Sequence, residues 1–173
     1  GIDMNQVQAR KDKVGSGLTK GIEFLFKKNK IEWIKGSATI AGRGKIDVID
    51  GDKQSLSATR EIVIATGSTP RSVPGVEIDR KRIITSDEAV ALREVPKSMV
   101  ILGSGAVGVE FASIFRRFGS QVTILELLPR IVPAEDEAIS AELERSFRKQ
   151  GIAVHTGTKV TRAAASANGV DIE

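Results

Sequence analysis

Residues 99–108 read MVILGSGAVG, and this stretch decides the fold. Its first four residues are a short apolar run of the kind that forms a buried strand. The apolar spacing that follows, at Val107, Phe111 and Ile114, predicts a helix over 105–118. The sequence therefore predicts a strand that runs through a glycine-rich turn directly into a helix.

The three glycines of the turn have separable roles in a nucleotide-binding loop. Gly103 permits the tight turn, Gly105 has no Cβ to hold a pyrophosphate away, and Gly108 lets the helix lie close to the sheet. The free N–H groups at the start of the helix, together with the positive end of its dipole, favour bound phosphate. The glycine spacing is a weak signal by itself, but its place between a strand and a helix strengthens it.

The acid expected of such a motif is Glu126, which lies 23 residues after Gly103 at the end of the next apolar run. A carboxylate there can accept hydrogen bonds from both adenosine ribose hydroxyls and would repel a 2′-phosphate. The next residues are Leu127, Leu128 and Pro129, so no basic cluster directly follows, and NAD is favoured over NADP. The alternative is a glycine-rich turn beside an ordinary surface glutamate.

Strands and helices alternate on the carboxyl side of this motif. Residues 122–125 and 152–154 are predicted strands, and residues 136–149 are a predicted helix. Short connections between such elements predict a parallel sheet with right-handed crossovers. The fold class is therefore α/β, with a Rossmann-like parallel sheet.

The first part of the chain has a different pattern. Apolar residues at helical spacing predict a helix over 4–29, and an antiparallel β-meander is predicted within 31–64. The β-prone runs of this meander are 31–34, 37–40, 45–49 and 57–59. They lead into 61–65, whose nearly continuous apolar run predicts a buried strand. Prolines concentrate over 66–97, which predicts a domain crossing with a boundary near 75–97.

Composition excludes several classes of protein. The chain has 173 residues, 40% of them hydrophobic, which is enough for a core, and it has no cysteine for a disulfide, a thiolate-bound metal or thiol chemistry. No run approaches the ~18 apolar residues of a membrane helix, so no membrane partner is expected. The net charge of +4 arises within residues 1–30, but no aromatic residues alternate with these lysines, so no nucleic-acid partner is expected. No metal site is expected either, because Asp136, Glu137 and Glu142 share a helix without forming a tight cluster.

A resemblance to a known family covers essentially the whole chain in one register. Residues 100–110 and 119–126 resemble the NAD-binding motif of the pyridine nucleotide–disulfide oxidoreductases. Residues 64–68, with Pro74-Gly75, resemble the second signature of these flavoproteins, where the chain leaves the FAD domain. Two further segments, residues 24–30 and 83–89, are also similar.

The resemblance implies a set of cofactor-binding residues. The NAD set is the turn, the start of the helix, the acid and one residue near the adenine: Gly103, Ser104, Gly105, Ala106, Val107, Gly108, Val109, Glu110, Glu126 and Val160. Glu110 would reach toward the nicotinamide and flavin, and its alternative role is that of a helix-surface glutamate. The implied FAD contacts are Ala38, Thr66, Gly67 and Ser68. The implied domains are 1–75, the C-terminal part of an FAD-binding domain, 76–97, a crossing segment, and 98–173, a truncated NAD-binding domain.

The resemblance also implies a function for a longer protein. That protein would be a flavoprotein that oxidises dihydrolipoyl groups and reduces NAD through FAD and a redox disulfide. Because the chain lacks cysteine, and its lone His155 does not match the family's catalytic base, we expect a segment with no catalytic residue of its own and no activity on lipoamide.

The implied longer protein is a homodimer within 2-oxo acid dehydrogenase complexes. Its expected location is the cytoplasm of a bacterium, with a mitochondrial matrix origin as the alternative. Two other functions stay open. One is another FAD/NAD(P) disulfide reductase, such as a mercuric reductase or a transhydrogenase-like flavoprotein, and the other is a nucleotide-binding module without catalysis.

Overall fold

The computed structural model describes residues 1–173. The helices are α1 (Met4–Lys28), α2 (Ser86–Ala89), α3 (Ala106–Phe118) and α4 (Glu137–Lys149). The strands are β1 (Ala38–Gly42), β2 (Lys45–Val48), β3 (Gln54–Ser57), β4 (Ser98–Leu102), β5 (Gln121–Leu125), β6 (Ala153–His155), β7 (Ala163–Ser166) and β8 (Gly169–Ile172). The chain divides into two compact units, Arg10–Thr69 and the larger unit of Gly1–Ala9 with Pro70–Glu173. None of the four helices has the length and apolar character needed to cross a membrane.

A three-stranded parallel sheet, in the order β4-β5-β6, forms the frame of the larger unit. Leu102 pairs with Leu125, and Leu125 pairs with His155, so the carboxyl ends of all three strands lie at one edge. The helices α3 and α4 are the crossovers between successive strands. The buried core of this unit is Ala112, Phe115, Val122, Ile124, Ile131, Val132, Phe147 and Ile152. The sheet and both helices contribute to it, so the two crossovers and the strands stabilise one another.

The opposite edge of this sheet, where the strands begin, is fixed by Arg116. Its Nε donates to the Gln150 carbonyl at 2.7 Å, and its Nη1 donates to the Ser120 carbonyl at 3.3 Å. The Ser120 hydroxyl in turn donates to the Pro96 carbonyl at 2.6 Å. Helix α3 ends at Gly119, whose φ of +107° lies in the left-handed region that favours glycine. One arginine therefore connects the carboxyl ends of α3 and α4.

The larger unit also contains an antiparallel hairpin, β7–β8, that the sequence pattern did not predict. Val76 joins this hairpin through a parallel bridge to Ala163. At the start of the chain, the buried side chain of Gln8 donates through Nε2 to the carbonyls of Val90 (3.1 Å) and Leu92 (2.8 Å). These contacts attach residues outside the parallel sheet to the unit that contains it.

The unit Arg10–Thr69 has an antiparallel sheet in the order β1-β2-β3. Polar side chains add contacts to this sheet. Asp50, in the loop after β2, accepts from the N–H and the hydroxyl of Ser37. Asp47 on β2 accepts at 2.6 Å from the hydroxyl of Ser55, its partner on β3. Val48 is the one buried hydrophobic residue of this unit. Within α1, the apolar residues Leu18, Ile22 and Leu25 are all more than half exposed.

The α/β prediction is confirmed. The three strands of the parallel sheet and the two helices between them lie within two residues of their predicted bounds, and the predicted helix over 4–29 is α1. The antiparallel meander is also confirmed, with Gly42 and Gly44 at its first turn. The predicted domains 1–75, 76–97 and 98–173 stay predictions. In the structure the chain passes from one compact unit to the other at Ala9–Arg10 and back at Thr69–Pro70.

Three strand predictions in the first part of the chain are wrong. Residues 31–34 are irregular, and the third meander strand is β3 rather than residues 57–59. The predicted buried strand 61–65 is also irregular, and its Val63 and Ile64 are 83% and 70% exposed. An apolar run forms a strand only where a neighbouring strand takes its backbone hydrogen bonds, and no strand of this chain pairs with these residues.

Candidate functional site

The glycine turn joins β4 to α3 at the carboxyl edge of the parallel sheet. Gly103 has a φ of +92°, which favours glycine, and its N–H donates to the Leu125 carbonyl at 2.9 Å. Gly105 is the N-cap of α3, and no side chain caps this helix. The first N–H groups of α3 have no intrahelical partner, so they and the positive end of the helix dipole can receive an anion.

The second and third glycines of the turn have different surroundings. A Cβ placed on Gly108 would overlap the carbonyl oxygen of Gly103, so the helix lies closer to the turn than any other residue would allow. A Cβ placed on Gly105 would meet no atom within 4 Å, so the space in front of the helix is open. Gly108 is therefore required by the turn itself, whereas the absence of a side chain at Gly105 leaves room for a ligand.

Glu126 follows β5 at the same edge, and its carboxylate faces the turn. One oxygen, Oε2, accepts from the Ser104 N–H at 2.7 Å and from the Ser104 hydroxyl at 2.6 Å. The other, Oε1, accepts from the Leu128 N–H at 2.8 Å. Glu126 is only 6% exposed, and Ser104 is completely buried. The parallel pairing of β4 with β5 brings these two residues together, although they are 22 positions apart in sequence.

The pKa of Glu126 is set by two opposing effects. Burial raises it, but the hydrogen bonds from the Ser104 hydroxyl, the Leu128 N–H and the Ser104 N–H together lower it below the ordinary value of 4.5. The carboxylate is therefore ionised at neutral pH. An ionised carboxylate beside the start of α3 offers hydrogen-bond acceptors to hydroxyl groups and repels a further anion.

The loops beside Glu126 carry no cation that pairs with it. The first basic residue after Glu126 is Arg130, which donates through Nη1 to Glu137 at 2.8 Å and through Nη2 to the Pro133 carbonyl at 3.2 Å. Its Nε is buried and has no partner. The guanidinium is thus directed at the start of α4 rather than at Glu126.

The structure brings most of the predicted NAD residues together. The turn and the first part of α3 contain Gly103, Ser104, Gly105, Ala106, Val107, Gly108, Val109 and Glu110, and Glu126 is hydrogen-bonded to this turn. The Glu126 N–H donates to the His155 carbonyl (2.9 Å), and its carbonyl accepts from the Thr158 N–H (2.8 Å), which places the loop after β6 beside it. Val160 lies two residues farther along that loop and is half-buried. Glu110 is exposed on α3, consistent with either of its predicted roles.

The link between the Ser104 hydroxyl and Glu126 was not predicted from the sequence. Ser104 was expected only as one of several residues beside a pyrophosphate. A signal was available, because a serine between two glycines at the end of one parallel strand lies next to whatever ends the neighbouring strand. Its use requires the register of β4 against β5, which local sequence patterns do not give.

The predicted FAD residues form no such cluster. Ala38 begins β1, whereas Thr66, Gly67 and Ser68 lie in an irregular stretch, and all four are exposed. Gly67 has a φ of +77°, which fits a turn. These residues alone do not enclose a flavin, so their role stays a prediction. No group of three or more His, Cys, Asp or Glu residues is arranged to hold a metal ion.

Comparison with protein families and curated proteins gives consistent matches. The family model described as pyridine nucleotide-disulphide oxidoreductase matches residues 3–173. The chain is 47% identical to dihydrolipoyl dehydrogenase 3 of Pseudomonas putida, with 99% of this chain and 37% of that protein aligned. It is 42% identical to the mitochondrial dihydrolipoyl dehydrogenase of Pisum sativum, with 99% of this chain and 34% of that protein aligned. The chain therefore spans little more than a third of the length of these relatives.

A solved structure shares the fold. LpdA from Mycobacterium tuberculosis superposes on the chain with a TM-score of 0.85, at 24% identity, over 99% of this chain and 39% of that one. A likeness at that level of identity shows the fold alone.

Proposed function

This chain belongs to the pyridine nucleotide-disulphide oxidoreductase family, and on that premise we propose that it supplies the NAD-binding site of a dihydrolipoyl dehydrogenase. In this reaction dihydrolipoyl groups are oxidised and NAD is reduced, with FAD and a redox disulfide between them. The observation that carries the proposal is the ionised carboxylate of Glu126 beside the uncapped start of α3. The names of the relatives in Pseudomonas putida and Pisum sativum support the substrate.

The residues of the turn fit NAD. The open space at Gly105 and the unpartnered N–H groups of α3 would receive the pyrophosphate, and Glu126 would accept a hydrogen bond from the adenosine ribose. A 2′-phosphate would meet the negative charge of Glu126, which forms no ion pair in the structure, and this favours NAD over NADP. Bound there, NAD supplies the hydride acceptor. Val160 beside the adenine and Glu110 toward the nicotinamide are parts of the same proposal.

The remaining parts of the reaction require residues beyond those of this chain. The chain has no cysteine, so the redox disulfide would come from elsewhere in a longer protein. Ala38 and Thr66–Ser68 would contribute to an FAD site completed by other residues, because they do not enclose a flavin by themselves. We therefore propose no catalytic residue within the chain, and expect the 173-residue chain alone to be inactive on dihydrolipoamide.

The partners and the location follow from the same proposal. A dihydrolipoyl dehydrogenase acts on lipoyl groups within 2-oxo acid dehydrogenase complexes, and we propose the homodimer as its form. The Pseudomonas putida relative favours a bacterial cytoplasmic protein, and the relative in Pisum sativum mitochondria keeps the matrix as the alternative.

The test is a comparison of dinucleotide binding and turnover in the full-length protein that carries this chain. Isothermal titration with NAD and NADP should show a strong preference for NAD, and Glu126→Ala should reduce that preference by about tenfold or more. The same protein should reduce NAD with dihydrolipoamide. Equal binding of the two dinucleotides by the unsubstituted protein would contradict the proposed site, and absence of turnover with dihydrolipoamide would contradict the proposed substrate.

A further inference from the structure

Ser104 is completely buried, and both of its hydrogen-bond donors are directed at Glu126. Its backbone N–H and its hydroxyl both donate to Oε2 of that residue, at 2.7 and 2.6 Å. A serine hydroxyl has one proton to donate. Since that proton is directed at Glu126, neither donor of Ser104 is left for a phosphate oxygen. A phosphate bound beside α3 would therefore be held by other N–H groups of the turn.

The same contacts determine how many acceptor positions Glu126 has left. An ionised carboxylate has about four lone-pair positions, two on each oxygen. On Oε2 both are taken by Ser104, and on Oε1 one is taken by the Leu128 N–H. Oε1 is therefore the oxygen with fewer hydrogen-bond partners. A ribose hydroxyl that donates to Glu126 would therefore be expected on Oε1.

We propose that Ser104 is a positioning residue for NAD selectivity, and that its hydroxyl holds the Glu126 carboxylate so that Oε1 alone faces the ribose. This inference rests on the proposed function, because it assumes that a dinucleotide occupies the turn. In this arrangement one ribose hydroxyl donates to Oε1, and the fixed negative charge repels a 2′-phosphate. Ser104 acts through Glu126 and makes no contact with the dinucleotide by its side chain.

The chain offers a matched control for the loss of a buried serine hydroxyl. Ser120 is also completely buried, and its hydroxyl also donates at 2.6 Å, in its case to the Pro96 carbonyl. It lies just before β5, at the opposite edge of the same sheet from Glu126. Ser120→Ala therefore removes a comparable hydrogen bond from the same unit without touching Glu126.

The experiment measures NAD and NADP dissociation constants by titration calorimetry on four variants of the full-length protein. They are Ser104→Ala, Glu126→Ala, the double variant and Ser120→Ala. We expect Ser104→Ala to weaken NAD binding about tenfold, since a hydrogen bond to a charged group is lost and the carboxylate becomes free to reorient. NADP binding by Ser104→Ala should change by less than about twofold, and Ser120→Ala should leave kcat and both dissociation constants within about twofold.

The double variant decides whether Ser104 acts through Glu126. If it does, the change from Ser104 to Ala should have no effect on dinucleotide selectivity once Glu126 is already Ala. Three results would each overturn the inference. Ser104→Ala could have the same effect with Glu126 and with Ala at position 126, it could have the same effect as Ser120→Ala, or it could leave NAD binding unchanged or tighter. If Glu126→Ala itself leaves NAD binding unchanged, the proposed site fails. If Glu126→Ala weakens binding and Ser104→Ala does not, only the role of Ser104 fails.

Discussion

The two compact units of the chain bury their apolar side chains very differently. Residues 70–173 contribute nine buried hydrophobic residues, whereas Val48 is the single one from residues 10–69. In residues 70–173, a parallel sheet is packed against two helices. In residues 10–69, the strands are held by backbone pairing and by polar contacts such as those of Asp50 with Ser37.

This difference shows where a rigid binding site can be built. The turn at Gly103 and the carboxylate of Glu126 both lie on the well-packed sheet, where neighbouring side chains fix the backbone. A site holds its geometry when the residues around it are locked by packing and by further hydrogen bonds. The exposed residues Thr66–Ser68 have no such support within this chain.

The largest expected effect comes from removing a core side chain of the larger unit. Phe115 is 2% exposed and packs beside Phe111 and Phe118, so Phe115→Ala should reduce the free energy of unfolding of this unit by about 3–5 kcal/mol. Leu18, on α1, is 67% exposed, and Leu18→Ala should change stability by less than about 0.5 kcal/mol. Urea unfolding of both variants checks the contrast. Equal losses of unfolding free energy in the two variants would contradict the prediction and would indicate that Leu18 is packed against another group in solution.

Substitutions at two glycines of the turn should affect different properties, the stability of the protein for Gly108 and NAD binding for Gly105. Gly108→Ala should destabilise the protein by about 1–3 kcal/mol, because the added Cβ overlaps the Gly103 carbonyl. Gly105→Ala should cost less than about 1 kcal/mol, because its Cβ meets nothing in the protein, yet it should weaken NAD binding. Thermal unfolding and NAD titration of the two variants test this pair. A Gly105→Ala variant that binds NAD normally would place the pyrophosphate elsewhere.

Glycines in helix α1 and at the end of helix α3 should respond to alanine with opposite signs. Gly119 has a φ of +107°, so Gly119→Ala should destabilise the larger unit by about 1–2 kcal/mol. Gly17 lies inside α1, where a Cβ meets nothing within 4 Å, so Gly17→Ala should stabilise the helix by about 1 kcal/mol. Circular dichroism during denaturation follows both changes. A destabilising Gly17→Ala would indicate that another group packs closely against that face of α1.

The smallest expected effect is the pH dependence contributed by Glu126. Its pKa is lowered in the folded protein, so its hydrogen bonds add stability above the unfolded value near 4.5, and that stability is lost as the pH falls through the lowered folded value. Glu126→Gln should therefore flatten the stability curve between neutral and acid pH. Asp50→Asn should flatten it less, because Asp50, whose pKa is also lowered by Ser37, is exposed. The measurement is the urea midpoint as a function of pH. A larger change in the pH dependence of the urea midpoint for Asp50→Asn than for Glu126→Gln would contradict the prediction.

The sequence predicts the larger unit well because its signals are local. Apolar runs of four or five residues, helical spacing and glycines at 103, 119 and 151 each depend on neighbours within one turn or strand. The run 61–65 carries an equally clear local signal, and it failed because a strand needs a partner, which its own sequence does not supply. Two other features were missed. The hairpin β7–β8 begins with an alanine-rich strand that lacks alternation, and the hydroxyl contact of Ser104 depends on strand register.

The contacts of Arg116 and the proposed dinucleotide site lie at opposite edges of the parallel sheet. Its bonds to Gln150 and Ser120 join both crossover helices where the strands begin, far along the strands from Gly103 and Glu126. If the proposed site is right, substitution of Glu126 can alter which dinucleotide is accepted while the contacts of Arg116 stay intact. During evolution, this separation would let cofactor preference change through a few residues at one edge, while the contacts that fold the sheet stay the same.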